Sequence, residues 1–264
     1  MMSFRRSFVH FIYGHGVTRR LLQEWHALPG RKFFSRSELL AGKSWSEAGE
    51  DFCLLQIAKE LGVVGDGFYV DIGANLPTRR SNTFALYRAG MRGLCVEPNI
   101  ELAALFEKVR SEDDVVCAAV GDSYSVGELS RFNFHVFSTC SEAVTRERLS
   151  EGKSALKASL LRSSFVAMLP LSGLLETYYE RRKKSSFFLL KTDTEGFDFE
   201  VLQSNDWKKY KPLCILTEST GQEEKIVKYL EEKGYLLAYT FPVNQLFIRK
   251  EEFERCGKLK ILSP

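Results

Sequence analysis

Apolar residues along this chain keep helical spacing in some stretches and gather into short continuous runs in others, and the two patterns alternate. Leu54, Leu55, Ala58 and Leu61 fall on one helical face. Glu47, Glu50 and Asp51 stand near the start of that helix, where its dipole favours acids, and Gly62 is a stop. Residues 68–72 form a run rich in aromatic and β-branched side chains, which predicts a buried strand. Ser81-Asn82-Thr83 offers caps for a helix through Phe84, Ala85, Leu86 and Tyr87, ended by Gly90. Residues 93–96 predict a second strand, and Pro98-Asn99 opens a helix with Leu102, Leu105, Phe106 and Val109 on one face. Residues 115–120 predict a third strand, closed by Gly121-Asp122. Repetition of this kind predicts an α/β domain, a parallel sheet wrapped by helices.

The rhythm breaks after Ser123. Residues 127–136 read as a hairpin on the sheet edge. Residues 138–164 are rich in Ser, Lys, Arg and Glu with little apolar periodicity, and predict a mobile lid. Order returns at Met168-Leu169-Pro170-Leu171 and a helix through Leu174, Leu175 and Tyr178. Residues 187–190 and 213–216 predict a fourth and a fifth strand. Thr220-Gly221-Gln222-Glu223 has the form of a capping box before a helix through Ile226, Val227 and Leu230, ended by Gly234. Residues 235–239 and 246–248 predict a closing antiparallel pair. The chain thus divides into an extension (1–45), a main domain (46–250) and a charged tail (251–264).

Composition narrows the class. With 44% hydrophobic and 27% charged residues the chain is ordinary for a soluble globular protein. A net charge of +3, from 37 basic and 34 acidic residues, lacks the basic footprint of a general nucleic-acid binder. The six cysteines are dispersed, with no C-x-x-C pair. Cys95, Cys117 and Cys214 fall in apolar, strand-like runs, which reads as core cysteine in a reducing compartment and predicts a cytoplasmic protein. No apolar run reaches the length of a membrane span. The first residues combine Arg5 and Arg6 with Phe8, Val9, Phe11 and Ile12, without the long apolar core and cleavage site of a signal peptide. They read as a terminal helix packed on the domain, with weak contact to a membrane surface as the alternative.

The candidate chemistry gathers at the ends of the predicted strands, where open α/β sheets bind ligands. The first end is Asp71-Ile72-Gly73-Ala74-Asn75. A glycine there permits close backbone approach, but G-x-G-x-x-G is absent and an acid stands in its place. A carboxylate repels a pyrophosphate and attracts the ammonium and sulfonium of S-adenosylmethionine (SAM), so Asp71 tilts the choice away from a dinucleotide. The second end supplies Glu97, placed to accept ribose hydroxyls, although an acid facing a helix dipole explains it too. The third supplies Asp122, placed for an adenine amino group or simply part of a Gly-Asp turn. The fourth, Lys191-Thr192-Asp193-Thr194-Glu195-Gly196, puts three charges on one face if the strand continues. Those charges suit a structural Lys191–Asp193 pair, a base for a substrate hydroxyl, or a divalent cation such as magnesium.

Taken in order, residues 68–75, Val96-Glu97-Pro98-Asn99 and the block Lys191-Thr192-Asp193-Thr194-Glu195-Gly196-Phe197 with Glu200-Val201-Leu202 resemble the FkbM family of SAM-dependent methyltransferases. The resemblance implies a Rossmann-like class I fold: a seven-stranded, mostly parallel sheet with an antiparallel closing strand and helices on both faces. It implies O-methylation of a hydroxyl on a sugar, glycan or natural-product-like small-molecule acceptor, with no nucleic-acid partner. Asp71, Gly73, Ala74, Asn75, Asn82, Glu97 and Asp122 are then expected to hold SAM, and Asp193, Glu195 and Lys191 to act on the acceptor. Pro77 stands where the family's cofactor loop carries a glycine, so the loop must take another path there. Three rivals remain: a methyltransferase-like binding module without catalysis, a dinucleotide-dependent oxidoreductase, and methylation of nitrogen or of a protein, which the acids in place of an aromatic-proline run after the fourth strand disfavour.

Overall fold

A computed structural model of the 264-residue chain describes residues 44–133, 135–150, 159–182 and 186–257. The extension up to residue 43, including the segment read as a terminal or membrane-touching helix, lies outside the described residues, as does the end of the tail.

The centre is a seven-stranded sheet in the order β3-β2-β1-β7-β8-β10-β9. It comprises β1 (Phe68–Ile72), β2 (Arg92–Val96), β3 (Asp114–Val116), β7 (Phe187–Thr192), β8 (Cys214–Glu218), β9 (Tyr235–Thr240) and β10 (Asn244–Arg249). The pairs from β3 through β8 are parallel, and β10 runs antiparallel to both β8 and β9. This is the Rossmann-like class I architecture. All five residues of β1 are buried, as a strand covered on both faces requires. Strand alternation sorts them into two cores. Phe68, Val70 and Ile72 join Leu175, Val201 and Ile226 on one face, and Tyr69 joins Leu54, Ile57 and Phe106 on the other. Helices α1 (Glu50–Glu60), α2 (Phe84–Arg88), α3 (Ile100–Val109), α5 (Leu171–Arg181), α6 (Asp198–Gln203) and α7 (Glu223–Glu232) carry those apolar faces, and α8 (Lys250–Gly257) follows β10. The side chain of Asn99 caps α3 by accepting from the amide of Glu101.

Several local expectations give way. The third strand is two: β3 ends at Val116, and β4 (Ala119–Gly121) leaves the main sheet to pair with β6 (Leu160–Pro170). The edge hairpin does not form either. Instead β5 (Ser125–Phe132) pairs along its length with β6, giving a three-stranded sheet β4-β6-β5. Within 138–164, residues Glu142–Ser150 form helix α4 and Leu160 onward belongs to β6. A polar helix and an exposed strand lack the apolar periodicity that identifies elements in sequence. At Thr220 no capping box closes: Gln222 precedes α7 without a side-chain cap, and Thr220 donates to Glu218 instead. Cys95 and Cys214 are buried as expected, whereas Cys117, after β3 has ended, is exposed. No helix among the described residues is long and apolar enough to cross a membrane.

Candidate active site

The carboxyl ends of β1, β2, β7 and β8 open into one cavity of about 1120 Å³, mouth included. Ile72, Gly73, Ala74 and Asn75 line it from β1, Glu97 and Pro98 from β2, Lys191, Asp193 and Glu195 from β7, and Glu218 from β8. Asn82, from the loop before α2, joins them.

The β1 loop hugs the sheet. Gly73 and Ala74 donate their amides to the carbonyl of Val96, and Asp193 donates its amide to Ile72. Gly73 has φ of 70°, and a Cβ there would stand 1.9 Å from the Asp193 carbonyl oxygen. Only glycine fits both the left-handed backbone and that contact. Glu97 accepts the amides of Asn75 and Asn99, each at 2.8 Å. Each of its oxygens keeps a second lone-pair direction for a further donor. Burial outweighs those two bonds and pushes its pKa up to about 7.

The β7 end is organised around a lysine. Asp71 and Lys191 are register partners across β1 and β7. The Lys191 ammonium lies 3.2 Å from Asp71, 3.6 Å from Asp193, and donates to the Gly73 carbonyl at 3.0 Å. Burial works against its charge, and Asp71 and then Asp193 more than offset this, so its pKa is raised. The strand stops at Thr192, so the three charges do not share a strand face: Glu195 takes a left-handed φ of 55°. Its carboxylate pairs with Arg148 of α4, and its carbonyl accepts from Thr139. Val144 of α4 packs over Gly196, where a Cβ would meet it at 2.7 Å. Desolvation carries Glu195 to about 8, against the pull of Arg148.

A model of the FkbM methyltransferase domain matches residues 71–237. The chain belongs to the FkbM methyltransferase family. It is accordingly a SAM-dependent methyltransferase. Among solved structures, a candidate RNA methyltransferase from Pyrococcus horikoshii aligns at 11% identity, covering 88% of this chain and 99% of that one, with a TM-score of 0.40. So distant a likeness carries no argument about function. No curated protein matches the chain.

The cavity of this FkbM-family chain has the chemistry a SAM nucleoside requires: a glycine loop without side-chain bulk, small apolar walls at Ala74, Ala118 and Ala119, and the Glu97 carboxylate at the β2 end. Two sequence-selected residues stand apart from it. Asp71 is buried at 1% side-chain exposure, ion-paired with Lys191 and accepting from Thr83 at 2.6 Å, and is not in the cavity lining. Asp122 is exposed, accepts from Ser123, and also lies outside the lining.

Sequence reasoning missed other wall residues. Glu218 belongs to β8, whose expected end at Leu216 fell two residues short; reading on through Thr217-Glu218 would have found it. Glu47 pairs with Arg80 at 2.9 Å, and burial raises its pKa to about 7. Glu50 accepts from Asn244 at 3.0 Å, a contact across 194 positions that no local pattern signals. His135 also lines the cavity, its pKa pushed down by burial and then by Arg80 and Arg79.

Proposed function

We propose that this methyltransferase acts on a hydroxyl oxygen of a sugar, glycan or natural-product-like acceptor, with Asp193 as the base. The observation that carries the reading is the state of Asp193. It lines the cavity with 36% side-chain exposure, against 5% for Lys191 and 19% for Glu195, and its backbone is tied to β1 through Ile72. Of the three β7 charges it is the one open to an incoming hydroxyl.

Bound SAM supplies an electrophilic methyl group on a sulfonium. Gly73, Ala74, Asn75 and Asn82 would cradle it, and Glu97 would accept the ribose hydroxyls. Asp71 acts from behind the wall, holding Lys191 rather than touching the cofactor. Asp193 would accept the proton of an acceptor hydroxyl as its oxygen takes up the methyl group that SAM would supply. Lys191 fixes Asp193, and most of the acceleration comes from alignment and exclusion of water. Asp122 has no role in this reading.

Asp193, Glu195 and Glu218 each offer a carboxylate oxygen within 4.8 Å of the others. Three hard oxygen donors suit a cation such as magnesium, which Asp193, Glu195 and Glu218 would hold as a Lewis acid. Asp193→Asn tests the base. Turnover falls by about 10²–10⁴-fold, the usual contribution of general-base catalysis, with SAM affinity unchanged. Unchanged turnover rejects the role.

A further inference from the structure

Behind the cavity wall a continuous buried polar chain leads to the Asp71–Lys191 pair from residues with no part in the function described so far. Arg110, at the end of α3, is fully buried although it is among the longest charged side chains. It is held by Asp113 at 2.7 Å and donates to the Tyr69 hydroxyl at 2.7 Å. Its remaining donors reach the loop before α2: Thr83 Oγ1 at 3.1 and 3.2 Å, Ser81 Oγ at 3.4 Å and the Pro77 carbonyl at 3.4 Å. Thr83 then donates to Asp71 Oδ2 at 2.6 Å, and the other oxygen of Asp71 faces Lys191 at 3.2 Å.

The polarity of this chain is fixed. A guanidinium only donates, so Thr83 Oγ1 accepts from Arg110 and its single hydrogen points to Asp71. One oxygen of Asp71 is thereby occupied, which leaves the other for Lys191. If Thr83 offered no hydrogen, both oxygens of Asp71 would draw on the ammonium. Lys191 would then move toward Asp71 and away from Asp193, its longer contact. The same arrangement addresses Pro77: a loop without the family's glycine is clamped by its carbonyl and hydroxyls to a buried arginine, with Asn82 held between them at the cavity.

We propose that Thr83, oriented by Arg110, is the positioning residue that sets Lys191 between Asp71 and Asp193. Its consequence for catalysis rests on Asp193 being the base; the geometric claim does not.

The test is read on the lysine ammonium by NMR of the full chain with labelled lysine side chains. Buried ion-paired ammonium protons exchange slowly, so wild type should show a protected signal that disappears in Lys191→Met. In Thr83→Val that signal shifts and its exchange quickens at least tenfold, while Thr83→Ser keeps it within threefold of wild type. A merely structural role for Thr83 would lower the melting temperature without moving the signal. Should Thr83→Val not fold, Thr83→Cys, similar in size and a weak donor, carries the same expectation. An unmoved signal in the variant that folds, or a serine variant that loses protection as valine does, overturns the proposal. Asp193→Asn turnover is measured separately, so failure of the base assignment leaves this result legible.

Discussion

Gly73→Ala should damage both stability and catalysis, and the structure sets the size. A Cβ at Gly73 meets the Asp193 carbonyl oxygen at 1.9 Å and the carbonyl carbon at 2.9 Å, and both atoms are backbone. To restore an ordinary contact the ends of β1 and β7 must part by roughly an ångström or more. The left-handed φ of 70° adds about 1–2 kcal/mol for any residue with a Cβ. The Asp193–Ile72 backbone bond, 3.1 Å in the wild type, is the one stretched, at a further ~0.5–1.5 kcal/mol. The sum is roughly 1.5–3.5 kcal/mol, a large share of a typical domain's stability. Displacing Asp193 by an ångström should also cost about 10²-fold in turnover. Urea unfolding followed by circular dichroism measures the first quantity, and single-turnover methyl transfer the second. An alanine variant within about 0.5 kcal/mol of wild type would refute the account of how β1 meets β7.

Other expectations follow from the carboxylates. Glu97→Gln keeps the shape but loses the charge, so calorimetry should find SAM bound about tenfold more weakly, the scale of a charged hydrogen bond at about 1.5–3 kcal/mol; wild-type affinity would remove Glu97 from the ribose. Because burial raises Glu97 to about 7 from the ordinary 4.5 of a glutamate, the folded chain binds more protons than the unfolded one between those values. Its contribution to stability is full below about 4.5 and is lost as pH rises through 7. The loss is on the order of 3 kcal/mol. Melting curves of the ligand-free protein should show this decline across pH 5–8 more steeply than those of Glu97→Gln; equal slopes would contradict it. Arg148→Ala frees the Glu195 carboxylate, so magnesium, followed by calorimetry, should bind at least tenfold tighter than to wild type; equal affinity argues against a cation at Asp193, Glu195 and Glu218.

The fold was legible wherever burial imposed a pattern. β1 and β7 are covered on both faces, so their apolar runs mark them in any reading. β6 and α4 escaped because neither buries a side chain fully. The site was legible in its order and not in its pairings. Strand ends marked Asp71, Glu97 and Asp193 as acids at one edge of the sheet. That Asp71 serves Lys191 depends on which strand lies beside β1, and β7 is a neighbour separated by more than a hundred residues. The pairing of Glu195 with Arg148 depends on a left-handed residue after the strand, where a glutamate gives no warning.

The central claim is that the methyl group goes to oxygen. Incubation with methyl-labelled SAM and a panel of polyhydroxylated acceptors, each bearing one amine, followed by NMR of the product, decides it. The label should appear as a methoxy group, and its yield should collapse in Asp193→Asn. A label on nitrogen, or a methoxy product formed equally by Asp193→Asn, would contradict the account.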